Sequence, residues 1–131
     1  MATMKAKTVN NRLLYTGATT TDADSTSLIT HSSFIVEKGT PVGIFVSGVT
    51  APGTATYHTS VYLQGSIDNV SWVTLQTIKM DSGDGDITAT NGVAFKQHLP
   101  ATYGDFPYYR VANQSEHASN EWVSTITVLI G

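Results

Sequence analysis

The chain has 131 residues, no cysteine and a formal net charge of −3 at pH 7. This length suits one domain with a single core, and the lack of cysteine excludes a disulfide framework and thiolate chemistry. The acidic balance argues against nucleic-acid binding, because a duplex-binding protein usually presents a basic patch. No apolar run approaches the ~20 residues of a membrane-spanning helix, and no apolar segment follows the charged N-terminus, so we expect neither a membrane span nor a secretory signal.

The low charge content is the most informative feature of the composition. Charged residues make up 13% of the chain, against ~25% in typical soluble domains. Buried interface cores are depleted in charge, whereas free surfaces are usually rich in it. The composition therefore favours a chain that is covered by neighbours. The alternative is an ordinary Thr-rich β domain, since threonine also favours strands.

The N-terminal part of the chain is predicted to be an extended arm, residues 1–26, in front of a β-sandwich domain, residues 27–131. A short strand fits Val9–Tyr15. The following segment, Thr16–Ser27, offers almost nothing to bury and has the composition of a loop or an extended segment.

Basic residues are concentrated in this arm. The first 12 residues contain Lys5, Lys7 and Arg12 and no acidic residue, so the remaining four basic and ten acidic residues give the rest of the chain a net charge of −6. We expect the arm to lie on a partner chain through these cations. The alternative is that it packs back on its own domain.

The strands that follow the arm are separated by Gly-, Pro-, Asn- and Asp-rich connections. The most regular pair is Tyr57–Ser66 and Trp72–Met80, where side chains alternate with a period of two on either side of a short polar turn. In chain order, the other predicted strands are Leu28–Val36, Pro41–Ser47, Ile87–His98 as a strand pair or one irregular strand, Pro107–Ala112 and Glu121–Ile130. The pattern predicts an all-β fold, a two-sheet antiparallel sandwich that is either jelly-roll or immunoglobulin-like.

The segment Leu63–Trp72, LQGSIDNVSW, followed by Tyr108–Val111, YYRV, resembles small β-sandwich proteins of tailed-phage particles. The resemblance covers Tyr57–Met80 and Pro107–Ile130. It implies that the tryptophan and the paired tyrosines lie in the core and that the arginine braces a strand or its neighbouring turn.

The same resemblance implies a non-enzymatic structural protein of the virion, a decoration or cement protein that reinforces the capsid shell from its surface. Its partners would be the major capsid protein or other virion proteins, and it would be a homo-oligomer. The expected partner-binding residues are the arm cations Lys5, Lys7 and Arg12 together with two loop aromatics, Tyr103 and Phe106. The alternative is a carbohydrate-binding β-sandwich module, in which exposed aromatic rings stack on sugars.

The sequence carries no signature of catalysis. It lacks a G-x-S-x-G elbow, a phosphate-binding loop, an H-E-x-x-H motif and a C-x-x-C motif. The histidines stand in separate segments without ligand spacing: His31, His58, His98 and His117. We therefore predict no catalytic residue, no cofactor and no small-molecule substrate.

The only candidate metal ligands are Asp81, Asp84 and Asp86 in the loop DSGDGD. Carboxylate oxygens on a Gly-containing loop can hold calcium, but the spacing differs from that of the helical calcium loop and no glutamate closes it. We favour the interpretation that these aspartates support a hairpin turn, because aspartate side chains bond nearby backbone N–H groups.

Overall fold

A computed structural model describes residues 4–18, 26–51, 58–88, 91–100, 105–116 and 122–131. These residues form ten strands. The strands are β1 Lys5–Val9, β2 Arg12–Ala18, β3 Ile29–Thr30, β4 Phe34–Ile35, β5 Val42–Thr50, β6 Thr59–Ser66, β7 Val73–Met80, β8 Ala94–His98, β9 Tyr108–Ser115 and β10 Val123–Ile130.

The strands form two packed antiparallel sheets, which confirms the predicted all-β sandwich. The first sheet has the order β1-β2-β10-β5-β8. The second sheet has the order β3-β9-β6-β7, and β4 also pairs with β9. Strands β5, β6, β9 and β10 each pair with neighbours on both sides, which gives many of their backbone groups hydrogen-bond partners within the sheets.

The core lies between the sheets and is built by strands that bury alternate side chains. In β10, Ser124, Ile126 and Val128 are buried while the residues between them are half-exposed. Trp122 and Tyr109 are the largest fully buried side chains. The prediction of Glu121–Ile130 as the closing strand is confirmed for Val123–Ile130, although its tryptophan lies just before the strand begins.

The N-terminal segment corrects the predicted arm. Strands β1 and β2 form a hairpin whose turn is Asn10-Asn11, with φ values of 50° and 62°, as a two-residue hairpin turn requires. This turn also divides the predicted strand Val9–Tyr15. Strand β2 pairs with β10 from Leu13 to Ala18. The arm prediction for residues 1–26 is therefore wrong for Lys5–Ala18, which belongs to the first sheet, while residues 1–3 and 19–25 lie outside the described residues.

Two other predicted strands differ from the structure. Leu28–Val36 is broken into β3 and β4, which pair with β9 on either side of His31–Ser33. Among the described residues of Ile87–His98, which exclude residues 89–90, Ala94–His98 is the one strand, and Ile87 forms an isolated bridge with Met80. The predicted hairpin is confirmed as β6 and β7, joined by the turn at residues 67–72.

Candidate functional site

On the side of the first sheet that faces away from the core, two rows of side chains carry no charge where they cross β2, β10, β5 and β8. The register places one row of side chains across β2, β10, β5 and β8: Thr16, Thr127, Phe45 and Phe95. The adjacent row is Leu14, Leu129, Gly43 and Gln97. Intervening residues such as Ile44, Val46 and Val128 are fully buried, so the two rows point outward. We call these two rows the outer face.

Two phenylalanines form the apolar centre of the outer face. Phe45 and Phe95 are directly paired across β5 and β8 and are 38% and 48% exposed. The Phe95 ring lies over Gly43, where a β-carbon would come within 2.7 Å of the ring atom Cε1. Because glycine leaves this space, the ring extends over β5 and joins the two rows.

The predicted basic residues come together at one end of the outer face. In the β1–β2 hairpin, Lys5 pairs with Thr16 and Lys7 with Leu14, so both lysines extend the two rows. Arg12 occupies the next outward position of β2. All five side chains of β1 are exposed. The sequence therefore located this basic cluster, although it assigned the cluster to an arm and not to a sheet edge.

The two predicted loop aromatics, Tyr103 and Phe106, are not found as exposed contacts among the described residues. Tyr103 lies outside the described residues. Phe106, predicted as an exposed contact, is partly buried, with its ring 6.4 Å from that of Tyr109 and 6.2 Å from that of His98, measured between centroids. A β-carbon on Gly65 would lie 2.8 Å from Phe106 Cγ, so the glycine makes room for the ring. The expectation of an exposed Phe106 is therefore corrected.

A second feature lies on the outward side of the second sheet, where Trp72 and Arg110 meet. The Arg110 guanidinium carbon lies 4.3 Å from the Trp72 ring centroid, a cation–π contact. Arg110 Nε donates a hydrogen bond to Gln64 Oε1 at 2.8 Å, and Gln64 Nε2 donates to Thr74 Oγ1 at 3.2 Å. Partial burial lowers the pKa of the Arg110 guanidinium from its ordinary value.

This contact agrees only in part with what the resemblance implied. Arg110 braces the turn before β7, as implied, and Tyr109 is buried in the core. Trp72 is instead half-buried at the surface, and the tryptophan in the core is Trp122, at 1% exposure. Trp72 is the last residue of the turn, just before β7, and is therefore not held on the core side of the strand.

The turn between β6 and β7 is held by Asp68. Its Oδ1 accepts hydrogen bonds from the backbone N–H of Ser71 at 2.8 Å, from that of Val70 at 2.9 Å and from Ser66 Oγ at 3.0 Å. These bonds hold the pKa of the Asp68 carboxyl below its ordinary value, the Ser71 N–H having the largest effect. Asn69 follows with a φ of 61°, a conformation that asparagine tolerates. The turn is therefore preorganised beside Trp72.

A recess opens next to this turn. Its volume is about 380 Å³, and its wall comes from the β3–β4 connection, the β6–β7 turn and β9. The polar groups of the wall include Thr30, Ser32, Ser33, Asn69 and Arg110. The recess is the point at which the two segments of the resemblance, one in the hairpin and one in β9, contribute to a common surface.

The three histidines that the structure describes have different neighbours. His31, which also lines the recess, is 3% exposed and its Nε2 lies 3.0 Å from Asn113 Oδ1, while burial lowers its pKa. His58 Nδ1 lies 3.1 Å from Glu116 Oε2. His98 is fully buried, and His117 lies outside the described residues. In the part of the chain that the structure describes, no three His, Asp or Glu side chains are grouped as metal ligands.

The loop aspartates are engaged in turn hydrogen bonds and ion pairs. Asp81 Oδ1 accepts the backbone N–H of Gly83 at 2.8 Å, and Asp86 Oδ2 accepts that of Lys79 at 2.9 Å. Lys79 Nζ lies 3.5 Å from Asp81 and 3.4 Å from Asp84. The pKa of the Asp81 carboxyl is lowered from its ordinary value, chiefly by the hydrogen bond from the Gly83 N–H. The carboxylates thus support the loop, as the turn interpretation predicts.

Comparison of the chain with protein-family models, with curated proteins and with solved structures gave no significant match. Among the described residues, no helix combines the length and the apolar character needed to cross a membrane.

Proposed function

We propose that the protein is a non-enzymatic structural protein of a viral particle, a decoration or cement protein of the tailed-phage type that binds the outside of the capsid shell. The observation that carries this proposal is the outer face, whose two rows present Phe45 and Phe95 and no charged side chain on β2, β10, β5 and β8. An extended apolar and hydroxyl-bearing surface of this kind is typical of a protein interface, whose core is depleted in charge.

The edge of the sheet adds a second element to this surface. Strand β1 is the last strand of its sheet and all its side chains are exposed. Such an edge can accept a strand from a neighbouring chain. Three cations lie beside this edge: Lys5, Lys7 and Arg12. They favour an acidic partner surface and fix the orientation of the partner. The major capsid protein and neighbouring copies of this chain are the proposed partners.

Adhesion would be the mechanism. Each copy buries the outer face against the shell, and symmetric repetition makes modest individual contacts collectively strong when the geometry permits them all at once.

The alternative function, a carbohydrate-binding module, has less support. Trp122 and Tyr109 are buried in the core, and the Trp72 ring carries the Arg110 guanidinium at 4.3 Å, so these rings do not form an open platform for sugars.

The test is the composition of purified particles of the virus whose genome encodes this chain. Quantitative mass spectrometry measures the copy number of the chain relative to the major capsid protein. We expect a fixed ratio set by the symmetry of the shell. The absence of the chain from particles, or saturable binding of a neutral glycan by the isolated protein, would contradict the proposal.

A further inference from the structure

The recess beside Trp72 contains the Arg110 guanidinium, which forms no ion pair with a carboxylate of the described residues. The ion pairs of the described residues involve Lys79, Lys96 and His58, and none involves Arg110. Arg110 Nε is used by Gln64, at 2.8 Å. The contact with Trp72 holds the guanidinium against the ring at 4.3 Å, and no anionic group of the described residues pairs with its terminal nitrogens.

The donors of the recess fit a carboxylate. The two terminal nitrogens of a guanidinium match the two oxygens of a carboxylate in a bidentate pair. Thr30, Ser32 and Ser33 line the same recess, and a hydroxyl is a neutral donor. With one formal charge in the recess and a net charge of −3 on the chain, a singly charged carboxylate is a better match than a phosphate group, which carries more charge.

The recess also distinguishes between sources of that carboxylate. Sugar sites commonly offer an open aromatic face, but the Trp72 ring is covered by the Arg110 guanidinium at 4.3 Å from its centroid. A carboxylate side chain needs no aromatic face. Asp68 holds the turn that carries Trp72 through its hydrogen bonds. Asn69 lies in the wall of the recess, and its backbone has a φ of 61°. The recess is therefore formed before any ligand enters.

We propose that this recess binds the carboxylate of a glutamate or aspartate side chain on a partner protein, with the terminal nitrogens of Arg110 as the main donors and the hydroxyls of Thr30, Ser32 and Ser33 around it. The inference does not depend on the proposed function. The recess belongs to the second sheet, whereas the outer face belongs to the first, and the isolated chain is sufficient for the test.

The experiment is a nuclear magnetic resonance titration of the full ¹⁵N-labelled chain with glutamate capped at both backbone ends, N-acetyl-glutamate N-methylamide. We expect saturable shifts at residues 30–33, at residues 69–72 and at the indole N–H of Trp72, with a dissociation constant on the order of 10 mM. Capped glutamine, which has the same shape without the charge, should bind about tenfold more weakly.

Three variants locate the binding group. Arg110→Gln should abolish the shifts, and Ser33→Leu, which fills the recess from its exposed rim and leaves the Arg110–Gln64 contact in place, should do the same. Lys38→Gln removes the same charge elsewhere and should bind as the unmodified chain does. The thermal unfolding midpoint shows whether each variant is folded. If Arg110→Gln does not fold, Ser33→Leu shows whether the recess binds capped glutamate.

Three results would overturn the proposal: capped glutamine binds as tightly as capped glutamate, capped glutamate shows no saturable binding, or the folded Ser33→Leu variant still binds it. Tighter binding of glucuronate or of inorganic phosphate than of capped glutamate would overturn the assignment to a protein side chain, and would identify an acidic sugar or a phosphate group as the ligand.

Discussion

At the scale of single residues, Asp68 is the residue that fixes the β6–β7 turn. Because its folded pKa is lowered, its stabilising effect is present above the ordinary aspartate pKa of about 3.9 and is lost as the pH falls through the folded value. The carboxylate must be ionised to accept its hydrogen bonds at full strength.

We therefore expect Asp68→Ala to lower the thermal unfolding midpoint at pH 7, and we expect the difference from the unmodified chain to shrink in acid, below about pH 3.9. Asp68→Asn is the control, since it keeps an oxygen acceptor but does not ionise and should lack this part of the pH dependence. A difference between Asp68→Ala and the unmodified chain that stays constant down to the acid limit would contradict this role.

Two glycines of the loop after β7 have different surroundings. A β-carbon at Gly85 would lie 2.5 Å from the backbone N of Asp81 and 2.7 Å from the backbone O of Lys79. Backbone atoms in a hydrogen-bonded loop cannot move away easily. At Gly83, the nearest atom would be Asp81 Oδ1 at 3.6 Å, an ordinary contact.

Gly85→Ala is expected to lower the free energy of unfolding by about 1–3 kcal/mol, as overpacking does. Gly83→Ala, two positions away in the same loop, should change it by less than about 0.5 kcal/mol. Urea denaturation of both variants measures the two values. Equal effects would show that the loop does not hold Gly85 against the backbone of its neighbours.

Residue-scale contacts were the least predictable from sequence. The segments LQGSIDNVSW and YYRV contain Asn69, Trp72 and Arg110 of the recess, whereas the rest of its lining comes from the β3–β4 connection. Gln64 and Arg110 lie 46 positions apart and meet only because β6 and β9 are neighbours. Pairing order is decided by long-range packing, which one sequence does not reveal. The burial of Phe106 was missed for a related reason, since the space for its ring is provided by Gly65 on another strand.

At the scale of elements, the N-terminal hairpin is part of the sandwich. The Tyr15 ring stacks on Phe34 with 4.8 Å between the ring centroids, which joins β2 of the first sheet to β4 of the second. The signal for this hairpin was present in the sequence as Asn10-Asn11, a dipeptide that tolerates the positive φ values of a tight turn. The polar composition of residues 1–26 concealed it, because β1 buries no side chain and therefore needs no apolar residues.

We expect Tyr15→Ala to lower the free energy of unfolding by about 2 kcal/mol, through lost burial and lost ring stacking. Thr16→Ala, on the opposite side of the same strand, should have little effect. Chemical denaturation measures both. If Tyr15→Ala were as stable as the unmodified chain, the hairpin would behave as a free arm, and its deletion would then be a clean test of partner binding.

At the scale of the whole molecule, the charged groups are unevenly placed. The two rows of the outer face contain none. Among the described residues, several charged groups form ion pairs around the loop after β7, and three cations lie at the β1 edge. Alternation and turn residues predicted the two sheets. They did not predict which face would remain open, because that depends on which strands pair.

The most direct test of the central claim is the rebinding of the purified chain to particles from which it has been removed. We expect the unmodified chain to sediment with the particles at a fixed ratio to the capsid protein. Phe45→Glu places a charge at the centre of the outer face and should weaken this binding about tenfold or more. Ile35→Glu alters a side chain that is 76% exposed on the second sheet and should bind normally. Failure of the unmodified chain to sediment with the particles, or equal binding of the folded Phe45→Glu variant, would contradict the account.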